Sequence, residues 1–225
     1  MSTSNFPALV MIIRHGEKPG DPDGNDGGPN LSILGSARAA AIPSLFFPDP
    51  TQTPATLPQL TCDLGTAAEG EFTGVYGNST ALAGQPRRSA PDFLFATASS
   101  SSSSRPLETI TPLVQALQFS TNNPKLTINQ QFTNDTDGIN GLVKLVLSGP
   151  PYAGKVILIC WHHGTIPQLT EAFGVPPSQL PFTKWPSTVF DLVFGISFPS
   201  GQPNFGVTCQ KLLFGDSSTP PGQSS

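Results

Sequence analysis

The stretch Leu9-Val10-Met11-Ile12-Ile13-Arg14-His15-Gly16-Glu17-Lys18 decides how the rest of the chain is read. Its apolar run shows no alternation, the pattern of a strand buried on both faces of a parallel sheet. The run then ends abruptly in an arginine and a histidine. Open α/β sheets bind ligands at the carboxyl ends of their strands, so Arg14 and His15 stand where chemistry is expected. A second run of the same kind, Val-Ile-Leu-Ile-Cys at 156–160, ends in Trp161-His162-His163-Gly164-Thr165. Both runs read as central strands, and if they are parallel their histidines meet at one edge.

Working outward, further strand candidates lie at 93–95, 126–128, 189–198 and 207–214, each bounded by Gly, Pro, Ser or Asn. Between them, 32–45, 106–117, 138–147 and 166–173 read as helical. Pro106 belongs in a first turn, where its missing N–H is no loss, and Pro43 ends or kinks the first helix. Strands alternating with helices predict a three-layer α/β/α sandwich with a mostly parallel central sheet and right-handed crossovers. A single domain over 1–215 is expected, with a loop or cap insertion at about 47–91 and a flexible tail at 216–225. Six prolines and no readable period mark the insertion. Loops this long are usually functional, and it is the expected place for elements that shape the substrate pocket. Residues 99–104, six serines followed by Arg105, read as a low-complexity loop without packing capacity.

Composition narrows the function. With 11 basic against 15 acidic residues, net charge −4 and no basic tract, the chain lacks the phosphate-neutralising surface of a nucleic-acid binder. Charged residues make up 12% of the chain, and 22 Gly and 25 Pro imply a surface of small polar side chains and long loops. No run is long enough to span a membrane, and no signal peptide is seen. Cys62, Cys160 and Cys209 are odd in number and lack metal-ligand spacing, which reads as a reducing, cytoplasmic setting. Cys160 reads as a buried small hydrophobe.

A third element, Ser104-Arg105-Pro106-Leu107-Glu108-Thr109, follows the strand at 93–95 and opens a helix at the same sheet edge. Two arginines and two histidines beside a helix N-terminus describe a phosphoryl site. Guanidinium groups donate paired hydrogen bonds to phosphate oxygens, free helix N–H groups add more, and neutral imidazole is a nucleophile near pH 7. No cofactor and no metal is expected where cationic side chains carry the charge stabilisation. A zinc site from His162 and His163 is poor, because adjacent residues on an extended chain point opposite ways.

At these residues the chain resembles the histidine phosphatase superfamily, the phosphoglycerate mutase-like proteins. The matching pieces are IIRHGEK at 12–18, LSILGSARA at 31–39, SRPLETITPL at 104–113 and ICWHHGTIP at 159–167, in the family's order. The resemblance implies that His15 is the nucleophile and forms a phosphohistidine. It also implies that Arg14, Arg105 and the histidine before Gly164, His163, hold the phosphoryl oxygens. His162 then falls on a variable position at the rim. Glu108 and Thr109 match the family's helix start, where Glu108 orients Arg105 or serves the helix N-terminus.

The general acid is less marked. Asp135 and Asp137 in TNDTDG are the candidates, and one of them is also a natural helix N-cap. Glu17 is the reserve, as a pocket residue or an acidic group on a surface turn. Arg38 reads as a salt-bridge or solvent residue, and Lys18, Arg87 and Arg88 either extend the positive pocket or are solvated loop charges. Tyr76-Gly77 precedes Arg105, where the family's mutases carry their Tyr-Gly after it, which disfavours a mutase. The expected function is a metal-independent phosphomonoester hydrolase acting on a small phosphorylated metabolite. The alternatives are a protein phosphohistidine phosphatase, a mutase or a non-catalytic binder of phosphorylated ligands.

Overall fold

The strands are β1 (Leu9–Arg14), β2 (Phe93–Ala96), β3 (Ile128–Asn129), β4 (Val156–Trp161), β5 (Leu192–Ser197) and β6 (Asn204–Cys209). The helices are α1 (Ile33–Ala41), α2 (Arg105–Ser120), α3 (Thr136–Ser148) and α4 (Ile166–Ala172). The computed structural model describes residues 5–20, 28–46, 90–121, 123–210, 212–213 and 216. Most of the 47–91 insertion, with Arg87, Arg88 and Tyr76-Gly77, and the tail beyond 216 lie outside the described residues.

The strands form one six-stranded sheet in the order β3-β2-β4-β1-β5-β6. The two uninterrupted apolar runs lie side by side in its middle, β1 parallel to β4 with Leu9 opposite Val156 and Arg14 opposite Trp161. β2 runs parallel to both β4 and β3. The sheet is mostly parallel, as expected, with four neighbouring strands running the same way; β5 is antiparallel to β1 and β6 to β5. The connection at 198–203 between β5 and β6 is too short for a crossover, which needs on the order of a dozen residues or more. β6 also starts earlier than its apolar content suggests, because Asn204 pairs with Ser197 across the hairpin.

Alternation along the central strands divides the core into two layers. Val10, Ile12, Ile157, Ile159 and Trp161 face α3 and α4, where Ile139, Leu142, Val146, Ile166 and Leu169 cover them. Met11, Ile13, Leu158 and Cys160 face the other way, onto Ile42, Ile110, Leu113 and Leu117, with α1 packed against α2. Each such side chain contributes roughly 1.5–3 kcal/mol by leaving water. Pro43 acts as expected: α1 ends at Ala41 and tightens into a 3-10 turn, Ile42–Leu45, because proline has no N–H to continue the ladder.

The cysteines need a correction. Cys160 is a free, fully buried thiol whose ionisation burial strongly disfavours, as read from its apolar run. Cys209 is disulfide-bonded. Disulfides persist in oxidising compartments, so cysteine usage does not support the cytoplasmic setting inferred from the odd count.

Candidate active site

Sheet register assembles the site. One residue beyond the Arg14–Trp161 pair, the His15 amide donates to the Trp161 carbonyl at 3.2 Å. In-register residues on neighbouring strands point to the same face, so His15 meets His162, their ring centroids 5.3 Å apart at a 74° tilt. His163 opens the turn that follows, its ring 6.2 Å from that of His15. The expected convergence of His15 and His163 is present, and His162, left at the rim by the motif, stands nearer still.

His15 is only 2% exposed, and its Nδ1 lies 2.7 Å from the Gly16 carbonyl oxygen. A carbonyl only accepts, so Nδ1 carries the proton and donates it there, which leaves the lone pair on Nε2. Burial holds the ring's pKa well below the usual imidazole value, and Arg14, His162 and Arg105 depress it further against the raising effect of the Gly16 bond. His162 is pushed down to about 4 by burial and then by Arg105. His163 is also pushed down to about 4, by burial, then Arg14, His162, Lys18 and Arg105. All three imidazoles are therefore neutral at pH 7. The Nδ1 of His163 is buried without a protein hydrogen-bond partner.

Arg14 is 1% exposed. Its Nη1 is shared among the carbonyls of Pro186, Ser187 and Val189 at 3.3, 2.7 and 2.8 Å, and its guanidinium carbon stacks 3.4 Å over the Phe190 ring. The turn before β5 thus aims this charge at His15 and His163. Arg105 starts α2 and donates from Nη1 to the Gly28 carbonyl at 2.7 Å.

Thr109 ties the two motifs together. Its hydroxyl donates to the Arg105 carbonyl at 2.7 Å and accepts from the Gly16 amide at 2.8 Å, so the turn after β1 hangs from the first turn of α2. Glu108 braces the same end, accepting from Ser104 Oγ at 2.6 Å and from the Leu31 amide at 2.8 Å. Gly35 lets α1 approach: a Cβ there would stand 2.3 Å from the Glu17 carbonyl oxygen. Ser32 caps that helix through its contact with the Gly35 amide.

Two of the three candidate acids are already engaged by the protein. Glu17 is buried, not on a surface turn, and Arg38 grips it, with Nη2 2.6 Å from Oε1 and Nε at 3.0 and 3.1 Å from the two oxygens. The same guanidinium binds Asp216 at 2.7 and 3.0 Å. Asp135 caps α3, accepting from the Gly138 amide and from Thr133 Oγ1, both at 2.8 Å. Those bonds hold its carboxyl below the usual range. Asp137 sits exposed in the first turn of α3. A proton donor must hold its proton when substrate binds, which the capping bonds of Asp135 disfavour, while both Glu17 oxygens face Arg38.

The serine run packs, against expectation. Ser100 and Ser103 pair through their backbones at 2.9 and 3.3 Å, Ser100 Oγ accepts from the amides of Ser102 and Ser103, and Ser99 Oγ donates to Gln130 Oε1 at 2.8 Å. This turn, Arg105, Thr133, Asn134 and His162 border a pocket of about 350 Å³. Among the described residues no group of three or more His, Cys, Asp or Glu is arranged to hold a metal ion. No described helix is long and apolar enough to cross a membrane.

Sequence reasoning missed the clamp on Arg14, the Thr109–Gly16 tie and the closeness of His162. Thr109 stands in the SRPLETITPL stretch at 104–113, and register alone would have paired His15 with His162 once β1 and β4 were read as parallel. No local signal marks the carbonyls of 186–189. No protein-family model matches the chain, and no curated protein matches it. Among solved structures, the chain is similar to a protein provisionally assigned as an alpha-ribazole-5'-P phosphatase from Escherichia coli, with 12% identity over 92% of this chain and 98% of that one, TM-score 0.46. It is likewise similar to a protein provisionally assigned as the phosphohistidine phosphatase SixA from Agrobacterium tumefaciens, with 15% identity over 89% of this chain and 97% of that one, TM-score 0.42.

Proposed function

We propose that the protein is a phosphoric monoester hydrolase of the histidine phosphatase type, working through a phosphohistidine at His15 on a small phosphorylated substrate. The observation that carries this is the His15 tautomer: with Nδ1–H given to the Gly16 carbonyl, Nε2 offers its lone pair at the edge where Arg14 and Arg105 converge. Nε2 attacks phosphorus, an N–P bond forms, and the ester P–O bond breaks. The leaving oxygen takes one proton and departs as an alcohol. Water then attacks phosphorus, the N–P bond breaks, and orthophosphate leaves with His15 regenerated.

The arginines supply the positive charge that phosphoryl transfer requires, in place before reaction. The unpartnered Nδ1 of His163 suits a phosphoryl oxygen. Of the described groups on the pocket wall, His162 is the one able to pass a proton to the leaving oxygen. It is neutral at pH 7, and an incoming phosphate dianion raises its pKa. A monoester bound as the monoanion brings the proton with it.

The test is hydrolysis of an aryl phosphate by the purified chain in excess chelator, with trapping of a base-stable, acid-labile phosphoenzyme. Turnover persists in chelator, and His15→Ala abolishes both signals, lowering the rate by at least about 10⁴-fold. Tight phosphate binding without turnover in the unmodified protein would instead make it a binder of phosphorylated ligands.

A further inference from the structure

We propose that the serine turn 99–104, with Thr133 and Asn134, is a leaving-group subsite that takes the alcohol of a small, uncharged, polyhydroxylated phosphate monoester. This rests on the reading of His15 as the phosphoryl acceptor, since it identifies the pocket beside His162 and Arg105 as the space the ester's alcohol occupies.

The wall chemistry selects the class. Among the described lining residues, Ser99, Ser100, Ser102, Ser103, Thr133 and Asn134 supply hydroxyls and an amide, and Ala98 is the one apolar contributor. Hydroxyls donate and accept, as do the hydroxyls of a polyol. Among the described lining residues Arg105 is the one with a permanent charge, and it serves the phosphoryl group. No further cation among these residues awaits a second phosphate, no carboxylate awaits an amine, and no Phe, Tyr or Trp awaits a flat base. A volume of about 350 Å³ lies at the small end of ligand pockets.

Among the described hydroxyls of this wall, Ser103 is the one that the protein leaves without a hydrogen bond. It is 3% exposed, yet its Oγ is buried with no hydrogen-bond partner. The hydroxyls around it are already engaged: Ser99 with Gln130, Ser100 with Ser102, and Thr133 with Asp135. Buried hydroxyls are rarely left unpaired, because losing water without a replacement is unfavourable. A substrate hydroxyl at this point restores the missing bond.

The experiment compares glycerol 3-phosphate with n-propyl phosphate, which share a three-carbon chain and one phosphoryl group and differ in two hydroxyls. Two readouts are taken on the full chain: kcat/KM with active protein, and Kd by calorimetry with His15→Ala, which binds without turning over. The expected result is a preference of about tenfold or more for the polyol ester in both readouts. Ser103→Ala should collapse that ratio toward one. Equal handling of the two esters by the unmodified protein, or a Ser103→Ala variant that weakens both equally, overturns the proposal. Absence of turnover on both esters and on an aryl phosphate defeats the hydrolase reading, while the Kd ratio still decides the subsite.

Discussion

His15 and Glu17 are two residues apart, both almost fully buried, and they end in opposite electrostatic settings. Glu17 lies in a closed ion cluster, where the Arg38 guanidinium binds its carboxylate on one side and Asp216 on the other. Asp191 is buried nearby, its carboxyl pushed up to about 6 by burial and by the neighbouring Asp216 charge. His15 lies in an open cluster, where Arg14, Arg105 and Lys18 act on three neutral imidazoles. Gly16 and Gly35 bring the two settings within a backbone's width of each other. The difference separates a guanidinium held between two carboxylates from guanidinium groups set beside neutral rings.

Exchanging the two kinds of arginine is the strongest way to break this contrast. Arg38→Met leaves Glu17 and Asp216 buried without a counter-charge and should destabilise by about 3–5 kcal/mol in urea unfolding. Arg105→Met removes a guanidinium that binds the Gly28 carbonyl and should unfold nearer the unmodified protein, while kcat/KM falls by about 10² to 10³. If the two variants lose stability equally, the open cluster is structural as well.

Ligand linkage sharpens the same contrast. Inorganic phosphate should stabilise the protein by about 2.7 kcal/mol at a concentration near 100 Kd, read as a shift of the unfolding midpoint. Arg105→Met should remove most of that shift. A shift of the same size in both proteins would place the anion somewhere other than the site built here.

Acid titration should move the two regions in opposite directions. His162 and His163 fall from 6.5 to about 4 in the folded chain, and His15 is depressed as well. Between those values the unfolded chain binds more protons, so their contribution is present above pH 6.5 and is lost as pH falls toward 4. Asp191 rises from 3.8 to about 6, so in its window the folded chain binds more protons and stability is lost as pH rises. The histidines outnumber it, and the net expectation is a lower urea midpoint at pH 4.5 than at pH 7. Asp191→Asn should steepen that dependence, and His162→Gln with His163→Gln should flatten it. Unchanged slopes in both variants would refute the assignment.

The smallest effect belongs to Asp135. Asp135→Asn weakens the cap on α3 and should lower the urea midpoint slightly, since asparagine caps almost as well. It should slow alkyl phosphates no more than aryl phosphates. A selective loss of about 10² or more on alkyl phosphates would return the proton donor to this aspartate.

What could be read without coordinates has a common physical origin. The runs at 9–13 and 156–160 showed that both faces of their strands are buried, and a sheet buried on both faces needs helices on each side, so β1, β4 and the layered order around them were legible. Arg14, His15, Arg105 and the histidine pair were legible because polar residues placed abruptly at the end of such runs have to stand at the strand ends. Pro43 and Pro106 acted as their ring chemistry dictates.

The sequence by itself determined the periodic features, because alternation and capping depend on neighbours a few residues away. Tertiary structure alone decided how the polar groups pair. Glu17, Asp135 and Asp137 look equivalent as carboxylic acids; which one meets Arg38 and which one caps α3 depends on segments brought together from 21 residues away in one case and on a single turn in the other. Arg14 finds its carbonyls 172 to 175 positions later, and His162 reaches His15 because β1 and β4 lie side by side in parallel. The serine run looked incapable of packing because its side chains bury little apolar surface. Yet backbone pairing at Ser100 and Ser103 shapes it into a wall, and whether a serine hydroxyl ends solvated, paired or buried alone is set by what the rest of the chain places around it.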